Sequence, residues 1–256
     1  MLLADDLLDD LDVSLTEKGV MICALQEIRR DGFMSKRTKN YEIYWYGEGS
    51  GNRGVGFAVH SKYAHLVSNV HGVPESDGRI ISMDILLHDA KHPVTLICAY
   101  APPNTRKHSK TRKKLYSQLR LVATANSWLM GDFNARLGRQ IDDGDYGAVP
   151  SNTIGPWSLK GDLTPNVNGS LLIDIASENG LRHVSSHFSC RDSKRWTWRH
   201  PRYYTRARLD HIFVPSTHLR FISRSFVAPN IALFTDHRLA VCELSFRPRI
   251  AIKTSP

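Results

Sequence analysis

An α/β fold, with two β-sheets packed together and helices on the outside, is the architecture this sequence predicts. Three observations predict it. Short apolar runs bounded by Gly, Pro and Asn recur through both halves of the chain. Helical periodicity is confined to a few stretches. No internal repeat or linker divides the 256 residues, a length suited to one large domain with a sizeable core. Strand-rich halves with few helices bury their apolar faces most readily as stacked sheets.

Taken in order, Leu7, Leu8, Leu11 and Leu15 mark one face of an acidic helix that stops near Gly19. Val20 to Leu25 then forms a buried strand delivering Gln26 and Glu27. Tyr41–Tyr46, Gly54–His60, Arg79–Leu87 and Pro93–Tyr100 read as strands between turns. Residues 107–125 read as a basic amphipathic helix, followed by the apolar strand Trp128-Leu129-Met130 that ends at Gly131. Ala135 to Val167 is rich in Gly, Asp, Pro and Asn and reads as a long ordered loop, a kind of segment that often carries function. Leu171–Glu178 is a helix with Gly180 as its stop. Short strands follow around Val184, Trp196–Trp198, Leu209–Val214, Ile222–Val227 and Leu239–Phe246. A single domain over 1–256 is expected, with disordered ends at 1–6 and 248–256.

Apolar and charged contents of 41% and 23% are those of an ordinary globular chain. No apolar run approaches a membrane span, and Met1-Leu2-Leu3-Ala4 runs straight into acids, unlike a signal peptide. No membrane partner is therefore expected, and four well-separated cysteines read as reduced core thiols of an intracellular protein. Asn168-Gly169-Ser170 fits a glycosylation sequon but carries almost no weight without a secretory signal. Net charge is +9, and the basic residues cluster. Arg106, Lys107, Lys110, Arg112, Lys113 and Lys114 form one group, read equally as a solvated helix face or as a phosphate-contacting or nuclear-import segment. Arg191, Lys194, Arg195, Arg199, Arg202, Arg206 and Arg208 form another. Such clusters attract polyanions through counterion release, so nucleic acid is the leading partner class and the nucleus the expected compartment.

Gly131-Asp132-Phe133-Asn134 is the most informative stretch. In extended backbone, Asp132 and Asn134 would face one spot and could hold a water beside a phosphate; a self-bonded turn is the competing reading. Three companions occur in order: Gln26-Glu27, Leu209-Asp210-His211 and Thr235-Asp236-His237, each where an apolar run ends or is broken by a carboxylate.

With Tyr100-Ala101-Pro102, these motifs resemble the exonuclease–endonuclease–phosphatase superfamily, which includes deoxyribonuclease I and the apurinic/apyrimidinic endonucleases. The connecting text Arg53-Gly54-Val55-Gly56-Phe57-Ala58-Val59, Asp77-Gly78-Arg79-Ile80-Ile81 and Thr197-Trp198-Arg199-His200-Pro201 is more similar still to endonuclease domains of LINE-type retrotransposons of the RTE clade. The resemblance spans roughly residues 7–247. It implies a four-layer sandwich of two mainly antiparallel sheets flanked by helices, as in deoxyribonuclease I. It also implies a Mg²⁺-dependent DNA endonuclease, with Mn²⁺ as an alternative ion, that leaves a 3′-hydroxyl and a 5′-phosphate.

By that resemblance Glu27 is a metal carboxylate, against a simple pairing with Arg29 or Arg30, and Asp236 is a second candidate for metal or water contact. Asp132 and Asn134 orient and activate the attacking water. Asp210 and His237 form a dyad in which the ring donates to the phosphate. Tyr100 contacts the phosphate, against packing on the sheet. Thr197 matches a phosphate-contacting threonine, with Trp196 and Trp198 facing the other way as core. Arg199, Arg202, Tyr203, Tyr204 and Arg206 lie in a loop suited to groove insertion and DNA backbone contact. His211, next to Asp210, points to the opposite side of its strand and is assigned no role.

One departure stands out. Members of the superfamily begin with a strand ending in Trp-Asn or a similar pair, and no counterpart is visible in residues 1–18. An open sheet edge, weaker Mg²⁺ binding and slower nicking with DNA binding retained are the expected consequences. The reverse transcriptase of an intact element is absent as well. Two alternatives accompany the endonuclease reading: a catalytically impaired DNA-binding remnant, and a phosphatase of the same superfamily.

Overall fold

The computed structural model describes residues 5–49, 53–87, 92–139, 152–228 and 235–245. Its strands are β1 (Ile22–Gln26), β2 (Gly32–Arg37), β3 (Tyr41–Gly47), β4 (Val55–His60), β5 (Val67–Gly72), β6 (Ile80–Ile85), β7 (Val94–Tyr100), β8 (Ser127–Asp132), β9 (Leu181–His183), β10 (Trp198–Arg199), β11 (Arg206–Ala207), β12 (Asp210–Pro215), β13 (Ile222–Val227) and β14 (Ala240–Leu244). Helices α1 (Asp5–Glu17), α2 (Ser109–Val122) and α3 (Val167–Glu178) complete the fold.

These elements form four layers. The antiparallel sheet β1-β4-β3-β2 packs on the six-stranded sheet β5-β6-β7-β8-β12-β9, in which β7–β8 is the parallel pair. Val55, Phe57 and Val59 meet Ile81, Met83, Leu96 and Cys98 in the core between the sheets. Leu8, Leu11 and Leu15 of α1 cover the outer face of the smaller sheet at Tyr41, Ile43 and Trp45. Leu115, Leu119, Leu172 and Ile175 of α2 and α3 cover the larger sheet at Ile97, Leu129 and Phe213. Each of these leucines is at most 2% exposed, worth roughly 1.5–3 kcal/mol apiece in apolar burial. The predicted sandwich is the observed one.

Some elements differ from expectation. β2 and β5 escaped the pattern because their side chains are largely exposed and alternate poorly. The chain around Val184 is a 3-10 turn following the short β9. Helix α1 begins at Asp5, inside the stretch expected to be disordered. Residues 1–4, 140–151 of the long loop, Phe246 and the expected disordered end 248–256 lie outside the described residues. Asp12, one of the acids of α1, is buried and accepts from the Asn40 backbone and side chain at 2.7 Å each, so it clamps the helix to the β2–β3 turn. Among the described residues, β1 pairs with β4 alone and β14 with β13 alone.

Candidate active site

The register of the larger sheet brings the distant motifs together. Tyr100 closes β7, Asp132 closes β8 and Asp210 opens β12; Asp132 is the register partner of both Tyr100 and Asp210. The three form one row across adjacent strands. Gly131 makes this approach possible. Its φ is 140°, and a Cβ there would strike the Ala99 carbonyl, so a side chain would force β7 and β8 apart.

β8 ends at Asp132, so Asp132 and Asn134 do not share one strand. Instead Asn134 turns back with φ 46°, its amide N–H donating to Asp132 Oδ1 at 2.9 Å. Its side chain donates to the Ala101 carbonyl at 2.9 Å. The self-bonded turn is therefore the observed one, and it fixes the Asp132 carboxylate.

Asp210 Oδ2 accepts from His237 Nδ1 at 2.8 Å, the expected dyad geometry. Burial alone would lower the proton affinity of His237, but the charges of Asp210, Asp132 and Asp236 outweigh it and push the pKa up to about 10. The ring is thus an imidazolium at neutral pH. Asp132 is 7% exposed, and its pKa is raised by burial first and by the facing Asp210 second.

Ligand atoms of Asp132, Asp210 and His237 lie within 4.8 Å of one another. Glu27 and Asp236, the carboxylates expected to hold metal, fall outside this group. The Tyr100 hydroxyl donates to Glu27 Oε1 at 2.7 Å, and Arg29 Nη2 pairs with Oε2 at 2.8 Å. The Arg29 pairing set against a metal role is therefore the observed one. Asp236 Oδ2 accepts from the Trp198 indole N–H at 2.8 Å. Trp198 is thus half-buried against Asp236 rather than packed wholly in the core. Arg79 stacks on the Tyr100 ring at 5.1 Å and donates to its carbonyl, which holds that side chain in place.

Thr197 is fully buried, contrary to its expected place at the DNA surface. Its hydroxyl accepts the Leu209 and Asp210 amides at 3.0 and 3.2 Å, and its carbonyl accepts the Arg238 amide at 2.7 Å. It braces both members of the dyad. His211 is also buried, with Nε2 2.9 Å from the Ala135 carbonyl and Nδ1 3.0 Å from His183, so it ties β12 to the loop after Asn134. Asn168, dismissed as a sequon, is 0% exposed and donates to the carbonyls of Pro102, Phe133 and Asn134. The available signal was its place in the first turn of α3, two residues after the Asn166 cap.

Beside the site, β10 and β11 form a hairpin whose tip carries Arg202, Tyr203 and Tyr204 in solvent. Arg199 lies over Tyr204 at 4.5 Å and Arg202 over Tyr203 at 5.4 Å. Trp196, also expected in the core, has Arg206 over its ring at 5.2 Å and Arg238 at 4.1 Å. Not every member of the basic clusters is free for a polyanion. Arg195 and Arg208 are buried, with Arg195 holding the Cys190 carbonyl and Arg208 holding Arg195 O and Ser185. Arg112 is buried against the Thr105 carbonyl.

The chain matches no family model, and no curated protein is similar to it. Solved structures are. The 3′ phosphatase NExo from Neisseria, bound to a product DNA hairpin, has a TM-score of 0.65 at 18% identity, covering 96% of each chain. AP endonuclease LMAP from Leishmania major has a TM-score of 0.63 at 10% identity, covering 91% of this chain and 81% of that one. The endonuclease domain of TRAS1, a telomere-specific non-LTR retrotransposon, has a TM-score of 0.57 at 16% identity, covering 93% and 92%. The chain has the fold of the exonuclease–endonuclease–phosphatase superfamily that its motifs resemble.

Proposed function

We propose that this protein is a metal-dependent DNA endonuclease of the LINE-type retrotransposon class. The carrying observation is the convergence of Asp132, Asp210 and the protonated His237 beside an exposed hairpin of stacked arginines and aromatics. In this reading a water oxygen attacks the phosphorus and passes its proton to Asp132. The P–O3′ bond breaks, the leaving O3′ takes a proton from solvent water as Asp132 returns its own to solvent, and His237, oriented by Asp210, hydrogen-bonds the phosphate. A 3′-hydroxyl and a 5′-phosphate result. Asn134 and Asn168 keep the Asp132 turn rigid, so the base is placed before substrate arrives.

The donor chemistry fits a hard cation: two carboxylates face each other, and the proton affinity of the more buried one is raised by burial and then by the other's charge. Asp132 and Asp210 would hold it, with Glu27, one hydrogen bond away through Tyr100, as a further carboxylate. Bound there, Mg²⁺ supplies charge neutralisation for the phosphoryl oxygens and relieves the Asp132–Asp210 repulsion. Arg199, Arg202, Tyr203, Tyr204 and Arg206 would meet the DNA backbone and groove. The hairpin favours DNA over a small soluble phosphate, which would need no such surface.

The decisive experiment is nicking of supercoiled plasmid with Mg²⁺, Mn²⁺ or EDTA, alongside end-labelling of the products. Metal-dependent nicks with 3′-hydroxyl ends support the proposal. DNA binding without nicking at any metal concentration would leave a binding protein in its place.

A further inference from the structure

The tip of the β10–β11 hairpin closes on one residue. Pro201 has no amide hydrogen, and the next three amides, those of Arg202, Tyr203 and Tyr204, all end on His200. The imidazole Nδ1 accepts from Arg202 and Tyr203 at 3.1 Å each, and the His200 carbonyl accepts from Tyr204 at 2.9 Å. Its own amide donates to the Thr205 carbonyl at 2.8 Å, across the mouth of the turn. The ring meets Trp198 edge-on at 5.5 Å and lies tilted against the Tyr203 ring at 4.7 Å. Trp198 in turn holds Asp236, the neighbour of His237. His200 therefore stands between the exposed tip and the segment that carries the dyad.

We propose that His200 is the positioning residue that holds this tip in its DNA-gripping form before DNA arrives. The role rests on the proposed endonuclease function. With the amides of residues 202–204 taken up inside the turn, the tip offers a phosphate only its side chains. Those of Arg202, Tyr203 and Tyr204 are all exposed. Tyr204 has φ 56°, a left-handed conformation that a bulky residue keeps only where its surroundings enforce it, and its bond to the His200 carbonyl does so. A loose tip would have to order three long side chains on binding, and each one immobilised subtracts from affinity. A tip closed during folding has already met that cost. Because Nδ1 is an acceptor, the ring proton sits on Nε2, and the imidazole works as a neutral clamp rather than as a cation for phosphate.

The test measures binding of a fluorescein-labelled DNA duplex to the whole chain by anisotropy, in EDTA and over a range of salt. His200→Ala is expected to weaken binding roughly tenfold or more. The slope of log K against log salt should stay unchanged, because no phosphate-contacting charge is removed. His200→Asn, whose side-chain oxygen can accept the same two amides, should restore most of the affinity. Hydrogen exchange without DNA should find the Arg202 and Tyr203 amides protected in the unmutated chain, unprotected in His200→Ala and protected again in His200→Asn. A slope lower by about one in both variants would make His200 itself a phosphate contact and overturn the proposal. So would an affinity that His200→Ala leaves unaltered, or unprotected tip amides in the unmutated chain, a result that needs no variant to fold. A chain that binds no duplex at all fails a step earlier, at the endonuclease reading, and takes this role with it.

Discussion

The Thr197 hydroxyl accepts the backbone amide of Asp210 at 3.2 Å, while the Thr197 carbonyl holds Arg238, the residue after His237. One buried residue thereby ties the two halves of the dyad together, through its hydroxyl on one side and its backbone carbonyl on the other. Thr197→Val keeps the shape but strands the Leu209 and Asp210 amides, each costing about 1–3 kcal/mol. Urea denaturation should show that loss, and nicking should fall with it; Thr197→Ser should restore most of both. An unaltered midpoint for the valine variant would mean that the hydroxyl does not brace the dyad.

Asp210 and His237 should behave as one unit. Asp210→Asn is expected to cost nearly as much activity as His237→Ala, with the double variant little worse than either. Fully additive losses would separate the two residues. NMR titration of His237 gives an independent reading: its pKa, about 10 in the intact dyad, should fall toward 6.5 in Asp210→Asn.

The pH profile follows from opposite shifts. His237 has a raised pKa, so its ion pair stabilises fully below about 6.5 and is lost as pH rises through about 10. Asp132 is also raised, so its proton is favoured by folding, and stability declines as pH rises from its ordinary 3.8 and the carboxyl ionises. Activity should rise as Asp132 ionises and fall as His237 loses its proton, with the apparent values belonging to the coupled site. Mg²⁺ should raise Tm more at pH 8 than at pH 5, and an equal effect at both would place the cation elsewhere.

Arg29 competes with any cation for Glu27. The pair is partly exposed, worth at most about 1 kcal/mol. Arg29→Ala should lower the Mg²⁺ concentration for half-maximal nicking by about fivefold or less, and Glu27→Gln should raise it. If neither moves the metal dependence, Glu27 is a structural partner of Tyr100 only.

At the hairpin, Arg202→Ala with Arg206→Ala should flatten the slope of log K against log salt by about two if both meet phosphates. Arg195→Ala, from the same run of sequence but buried, should instead lower stability. A slope unchanged by the first pair would return the hairpin to ordinary solvated surface.

Much of this was legible in the sequence, and the reasons are physical. Apolar runs ending at carboxylates mark the strand ends that carry Asp132 and Asp210, while the roles of Asp132, Asp210, His237 and Tyr100 came from the resemblance to the superfamily. Local pattern does not report partners across space. Thr197 and Asn168 are buried donors and acceptors whose contacts lie 12 to 66 residues away, and nothing nearby in sequence separates such residues from surface ones. The same holds for Arg195 and Arg208, which composition alone assigns to a basic face. β2 and β5 were missed because an exposed strand has no apolar period to show.

The row formed by Tyr100, Asp132 and Asp210 depends on the register of β12 against β8. A slip of β12 by one residue would put His211 opposite Asp132 and carry Asp210 to the far face. A chain caught in that arrangement would be compact yet unable to cut. Under the proposed activity, a copy with β8 and β12 out of register would therefore lack the assembled site.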